Sequence, residues 1–173
     1  MRSLVISTLF ADLPAAGVTC LRFNFRGVES SSGTYDEGRR ERDDVRSAVT
    51  ALAARTAAPL VLTGWSFGAD MALSVHDEAV VGWLAIAPPL RFASDLTDLA
   101  DDPRPKHLAL AQHDEFRDPA EVVEATAAWE ATTVEIVPGA SHFFVGRTDR
   151  LVATARAVVD RLTATGLAAT GQA

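Results

Sequence analysis

Short apolar stretches alternate with amphipathic ones along this chain, and that alternation limits the folds open to it. VTCLRFNF (18–25), PLVLTGW (59–65), VVGWLAIAPP (80–89), KHLALAQH (106–113) and TTVEIVPG (132–139) read as strands. Several are apolar throughout, the mark of strands covered on both faces. Helical patterns lie between them. ERDDVRSAVTALAART (41–56) places Val45, Ala48, Val49, Leu52 and Ala53 on one face. FGADMALSVHD (67–77) reads as a helix rich in small residues. Asp118-Pro119 supplies an N-cap and a first-turn proline, ahead of Val122, Thr126 and Trp129. A last helix carries Leu151, Ala155, Val158, Val159 and Leu162. Strands separated by helices predict an α/β fold: a mostly parallel sheet with helices on both faces.

Bulk properties narrow the classes of function. A length of 173 residues, 48% of them hydrophobic, fits a single domain over 1–165, with 166–173 as a frayed tail. The net charge of −7, with no block of like charges, argues against nucleic acid as a partner. The lone Cys20 forms no disulfide within the chain, which suits the reducing cytoplasm, and its apolar setting reads as a buried small hydrophobe. His76, His107, His113 and His142 lack the paired spacing of a metal site, so neither metal nor cofactor is expected. No run is long enough to span a bilayer. Near the start, Ser3, Ser7, Thr8 and Asp12 interrupt the apolar stretch, while Val5, Leu9, Leu13 and Ala16 recur at helical spacing up to Gly17. That pattern predicts a core-packed helix over 3–16 in place of a signal peptide. The longest irregular stretch, 88–105, reads as a connection and not a lid.

GWSFG (64–68) falls between a predicted strand and a predicted helix. Sites in open α/β sheets form beyond the carboxyl ends of the strands. Gly-x-Ser-x-Gly at such a turn matches a nucleophile elbow, with Ser66 raised on a sharp bend and Gly64 and Gly68 relieving collisions. The N–H of Phe67 is then the expected donor to an oxyanion. A serine nucleophile needs a base, and the base an orienting acid. Asp114 follows one later strand and His142 the next. Glu115 and Asp118 compete with Asp114 in the same loop, though Asp118 is better explained as a helix cap. His113 reads as a surface residue, and His76 and His107 fit no constellation.

LRFNFRGV with its Ser/Gly-rich turn, GWSFGA, IAPPL, the aspartate after the next strand and ASHFFVGR together resemble small bacterial α/β-hydrolases, grouped near the dienelactone-hydrolase-like proteins. The similarity runs from about Val5 to the last helix. It implies a serine hydrolase with little or no lid, in which Ser66 is nucleophile, His142 base and Asp114 acid. Ser66 stands where dienelactone hydrolases carry cysteine, which argues against that reaction. Glu29 stands where relatives have glycine, and Arg26 and Gly27 match them as parts of a loop. Relatives begin with further strands, and a loop after them supplies a second oxyanion N–H; this chain starts later than that loop. Four arrangements answer to this: residues upstream, Arg2 and Ser3 as substitute donors, a partner chain, or a fold that has lost catalysis. The expected activity is hydrolysis of a small-molecule carboxylic ester or thioester through an acyl-enzyme. The alternative is a non-catalytic binding protein on the same fold. A homodimer would cover an incomplete sheet edge.

Overall fold

The apolar runs after residue 59 become strands and pair in the order the chain makes them. The computed structural model describes residues 3–93 and 95–169. In it β1 (Leu60–Trp65), β2 (Val80–Ile86), β3 (Lys106–His113) and β4 (Thr132–Ser141) form one parallel sheet in sequential order. Thr63 pairs with Leu84, Ile86 with Ala109 and Leu108 with Val134, so the carboxyl ends gather along one rim. The outer layers are α1 (Leu4–Asp12), α2 (Glu41–Ala53), α3 (Phe67–Leu73), α4 (Thr97–Ala100), α5 (Pro119–Ala125) and α6 (Thr148–Ala169).

Alternation along each strand sorts the helices into layers. Leu84, Ile86, Ala109, Ala111 and Val137 pack with Val5 and Leu9 of α1 and Leu151, Ala155 and Val158 of α6. Trp83, Ala85, Leu108 and Leu110 point the other way, onto Val49 of α2, Leu73 of α3, Leu99 of α4 and Val122 of α5. Strands in sequential order with right-handed crossovers put the connecting helices on one face. With both faces of β2 and β3 covered, an apolar side chain suits nearly every position, which explains their unbroken runs. No helix among the described residues is long and apolar enough to cross a membrane.

The N-terminal segment is a core helix, as its spacing predicts. The Ser3 hydroxyl accepts the Ile6 N–H to cap α1, Val5, Leu9 and Leu13 are buried, and Gly17 in the left-handed region (φ 86°) ends the 3-10 turn Leu13–Ala16. Ala16, expected on the same face, is exposed. The described residues of the stretch 88–105 form a packed connection: Leu99 is fully buried, and Leu90 and Leu96 pack on the same cluster.

The run 18–25 is not a strand, contrary to its pattern. Its side chains do alternate. Val18 and Cys20 pack toward α1 and α6, the Arg22 guanidinium lies 4.4 Å from the Phe10 ring of α1, and Phe25 packs on the opposite side beside Val45 and Met71. A strand also needs a hydrogen-bonded neighbour, and among the described residues none lies beside this segment. At the other end, α6 continues to Ala169, so 166–169, expected as tail, are helical; 170–173 lie outside the described residues.

The turn from β1 to α3 corrects another expectation. A Cβ on Gly64 would lie 2.1 Å from the Gly68 carbonyl oxygen and 2.6 Å from the Ala69 Cα, both backbone atoms with nowhere to go. At Gly68 a Cβ would meet only the Phe25 ring edge at 3.9 Å, an ordinary contact. Only the first glycine is therefore demanded by sterics. Gly64→Ala is expected to cost about 3 kcal/mol through overpacking. Gly68→Ala, inside α3, should leave stability unchanged or raise it by up to about 1 kcal/mol from helix propensity. Thermal melts of the two variants check the contrast; equal destabilisation would contradict it.

Candidate active site

The crossing of α3 over the end of β1 forces the residue between them out of ordinary backbone space. Ser66 has φ 54° and ψ −128°, a conformation that costs a non-glycine residue on the order of 1–3 kcal/mol. Its N–H donates to the Ile86 carbonyl at 2.9 Å, and its own carbonyl accepts from Ala69 at 2.8 Å. Ser66 as a whole stays partly exposed at the sheet rim. Phe67 opens α3, and the first N–H groups of a helix have no acceptor within it.

The other two expected residues come from neighbouring strand ends. A register shift between Ala111 and His113 brings His113 opposite Ser141 at the rim. Asp114 and His142 are each the next residue along, so the ladder itself sets them side by side. His142 Nδ1 lies 2.8 Å from Asp114 Oδ2, and His142 Nε2 lies 2.9 Å from Ser66 Oγ. The three residues named from the sequence thus form one continuous hydrogen-bonded chain. His142 and the Asp114 side chain are both nearly fully buried.

Each link is held from behind. Asp114 Oδ1 accepts the N–H groups of Phe116 and Arg117 at 2.9 and 3.2 Å. Burial pushes the Asp114 carboxyl up, but hydrogen bonds from His142, Phe116 and Arg117 outweigh it and hold the group below the usual carboxylate range. The His142 backbone is pinned at both ends: its N–H donates to Glu115 Oε2 at 3.2 Å, and its carbonyl accepts from the Trp65 indole at 2.9 Å. Glu115 therefore serves the histidine backbone, not the ring. Asp118 caps α5, its carboxylate accepting the Ala120 N–H.

The remaining histidines stand apart. His113 is exposed, and His76 lies 5.7 Å from the Trp83 ring. His107 is buried near the start of β3, at the opposite end from Ser66, between Glu135 and Arg161. Ser3, offered as a substitute oxyanion donor, caps α1 instead, and Arg2 lies outside the described residues. Glu29 has φ 51°, the left-handed region that glycine enters most readily; its carboxylate accepts from the Asn24 amide at 3.0 Å.

Sequence reasoning missed Asp70. Fully buried on α3, its carboxylate accepts three backbone N–H groups, from Leu90, Arg91 and Phe92, each at 2.9 Å. Burial pushes its carboxyl up by more than those donors pull it down. The contacts fix the connection after β2, so that Phe92 stands edge-on to Phe67 at 5.1 Å. A carboxylate on an otherwise apolar face of a small-residue helix was the available signal.

The depressed Asp114 carboxyl carries a pH signature. In acid the unfolded chain takes up a proton there before the folded one does, so this contribution to stability is complete above the ordinary carboxyl range and fades as pH falls through the folded value. Asp114→Asn should be less stable than the parent at neutral pH. The gap should narrow below about pH 4. Urea melts across pH 3–7 check this; a gap that stays constant would contradict it.

Comparison with known proteins places the fold. The family described as an alpha/beta hydrolase domain matches residues 1–168. A serine hydrolase without a lid from Xanthomonas campestris is 31% identical, with 94% of this chain and 75% of that one covered at a TM-score of 0.82. An alpha-beta serine hydrolase homologue from Coxiella burnetii is 30% identical over 89% of this chain and 77% of its own, at a TM-score of 0.75. An uncharacterized protein of Rickettsia prowazekii is 29% identical over 161 residues, 86% of this chain and 68% of that protein. With the family matched over nearly its whole length, the chain belongs to the alpha/beta hydrolases.

Proposed function

We propose that this chain is a serine hydrolase that cleaves a carboxylic ester or thioester through an acyl-enzyme. The observation that carries the reading is the unbroken chain from Ser66 Oγ through the His142 ring to Asp114 Oδ2, with links of 2.9 and 2.8 Å. In this reading Ser66 Oγ attacks the carbonyl carbon as its proton passes to His142 Nε2. Asp114 holds Nδ1–H, which leaves Nε2 free to accept, and balances the imidazolium that forms. The Phe67 N–H stabilises the tetrahedral oxyanion. Collapse expels the alcohol or thiol, which takes the proton from Nε2, and leaves an ester on Ser66. Water then repeats the sequence with His142 as base, releasing the acid and restoring the serine. Esters and thioesters suit a site with one identified oxyanion donor, because their leaving groups depart more readily than an amine.

The second reading, a binding protein that keeps the fold without turnover, draws on the outer edge of β1. That edge pairs with no strand among the described residues, and the Phe67 N–H is the one oxyanion donor assigned among them. Absence of one such donor costs on the order of a hundred- to a thousandfold in rate. A fluorophosphonate probe separates the two. Stoichiometric labelling of Ser66, lost in Ser66→Ala and lowered at least about a hundredfold in rate in His142→Ala, with turnover of p-nitrophenyl acetate, supports the hydrolase. Failure of the folded parent protein to label would overturn it.

A further inference from the structure

The exposed aromatic rings of this protein are not scattered. Among the described residues, Phe23, Tyr35, Phe116 and Phe143 are the aromatic side chains left largely open to solvent, at 42, 58, 54 and 43%. All four connect through ring contacts to Phe67 or to His142. Phe23 meets Phe25 at 5.1 Å, and Phe25 and Tyr35 meet Phe67 at 5.4 and 5.8 Å. Phe116 and Phe143 lie 4.6 and 5.4 Å from the His142 ring. Of the exposed aliphatic residues among those described, Leu4, Val123 and Ile136 sit on α1, α5 and β4, while Leu21 and Val145 lie two residues along the chain from Phe23 and Phe143. Single exposed apolar residues need no explanation, but a patch gathered at one place marks a binding surface.

The chemistry divides this patch. Resting on the proposed serine hydrolase, the proton on His142 Nε2 must reach the departing oxygen or sulfur, so the leaving group sits against the histidine. Phe116 and Phe143 stand there, 6.0 Å apart and nearly perpendicular (81°), forming an open corner. Trp65 backs it, 5.7 Å from Phe143. Two rings set edge to face offer a third ring one face and one edge at once, the arrangements aromatic pairs prefer. The corner is braced: the Phe116 N–H is held by Asp114, and Phe143 follows the pinned His142. The Asp114 and Glu115 carboxylates lie on its His142 side and disfavour an anion, and the guanidinium of Arg117, the residue after Phe116, is paired with Glu121.

We propose that the leaving-group side of this site takes a neutral, aryl-bearing alcohol or thiol, its ring packed in the corner between Phe116 and Phe143. Ester bond cleavage then follows as above: the bond from the acyl carbon to the leaving oxygen or sulfur breaks, and the aryl alcohol or thiol leaves with the proton from His142.

The test has two arms. In the first, kcat/KM is measured for benzyl acetate and butyl acetate, each normalised to its hydroxide rate. The parent protein should favour the benzyl ester by about fivefold or more. Phe116→Leu and Phe143→Leu should bring the ratio toward one, and Phe116→Tyr should retain it. In the second arm, benzyl alcohol and butanol are titrated into the isotope-labelled parent protein, with the backbone amides of 114–117 and 142–144 followed by NMR. Benzyl alcohol should shift them at lower concentration than butanol, and the difference should shrink in Phe143→Leu. A benzyl-to-butyl ratio near one with butyl acetate turned over and Ser66 labelled would overturn the aryl corner while leaving the serine hydrolase standing. If no ester is turned over, the hydrolase reading fails and the titration decides alone: selective shifts support the corner, and equal or absent shifts overturn it. If the leucine variants do not fold, the preference of the parent protein in the titration decides in the same way.

Discussion

The close approach of two backbones at the end of β1 governs the rest of the molecule. Because residue 64 has no Cβ, the carbonyl of Gly68 can sit where that atom would be, and α3 can start directly against the sheet. A chain that turns so tightly must place one residue in a strained conformation, and that residue is Ser66. The strain is borne by contacts on both sides. The Ser66 N–H is tied to β2 through the Ile86 carbonyl, and the buried Asp70 ties α3 to the connection after β2. One steric fact thereby raises a hydroxyl above the rim, leaves the first N–H of α3 beside it and fixes the loop that walls Phe67.

The opposite half of the site depends on a ladder, not on a turn. Asp114 and His142 are far apart in sequence but are each the residue after a bridged pair, His113 and Ser141. Parallel pairing of β3 with β4 sets their separation before any side chain is considered. Two unrelated devices, a steric turn and a strand register, meet across the gap from Ser66 Oγ to His142 Nε2. The Trp65 indole spans it as well, reaching from the last residue of β1 to the His142 carbonyl and fixing the distance between the halves.

How much could be read from the sequence follows from where each feature stores its information. The strands from 60 onward, the helix over 4–12 and the placement of Ser66, Asp114 and His142 at strand ends are local in period and position, so a linear reading finds them. The run 18–25 has the side-chain alternation of a strand, but a ladder belongs to two segments and its pattern describes only one. Gly64 and Gly68 look equivalent in GWSFG, yet in the fold the helix backbone leans on the first while only the Phe25 ring edge approaches the second. Asp70 was hidden because its partners are backbone N–H groups of residues 90–92, and a backbone donor has no letter in the sequence. The aromatic corner was hidden for a related reason: Phe116 and Phe143 follow different strands and meet only through the ladder.

Magnitudes bear on whether the open edge of β1 decides the function. A missing oxyanion donor weakens catalysis on the order of a hundred- to a thousandfold. Enzymes accelerate their reactions by at least about a millionfold, so that deficit alone leaves a measurable rate on a reactive ester. Phosphonylation by a fluorophosphonate, in which the serine oxygen displaces fluoride from phosphorus, asks still less, since it needs an activated serine and not the turnover of an acyl-enzyme. A depressed Asp114 carboxyl, an imidazole held by hydrogen bonds at both nitrogens and a serine held in a costly conformation support the proposed hydrolase over a surface that only binds. Strain of this kind survives only where surrounding contacts over-determine it. Here those contacts hold the backbone of Ser66 and leave its Oγ to a 2.9 Å link with His142 Nε2, the interaction that chemistry at this site would spend first.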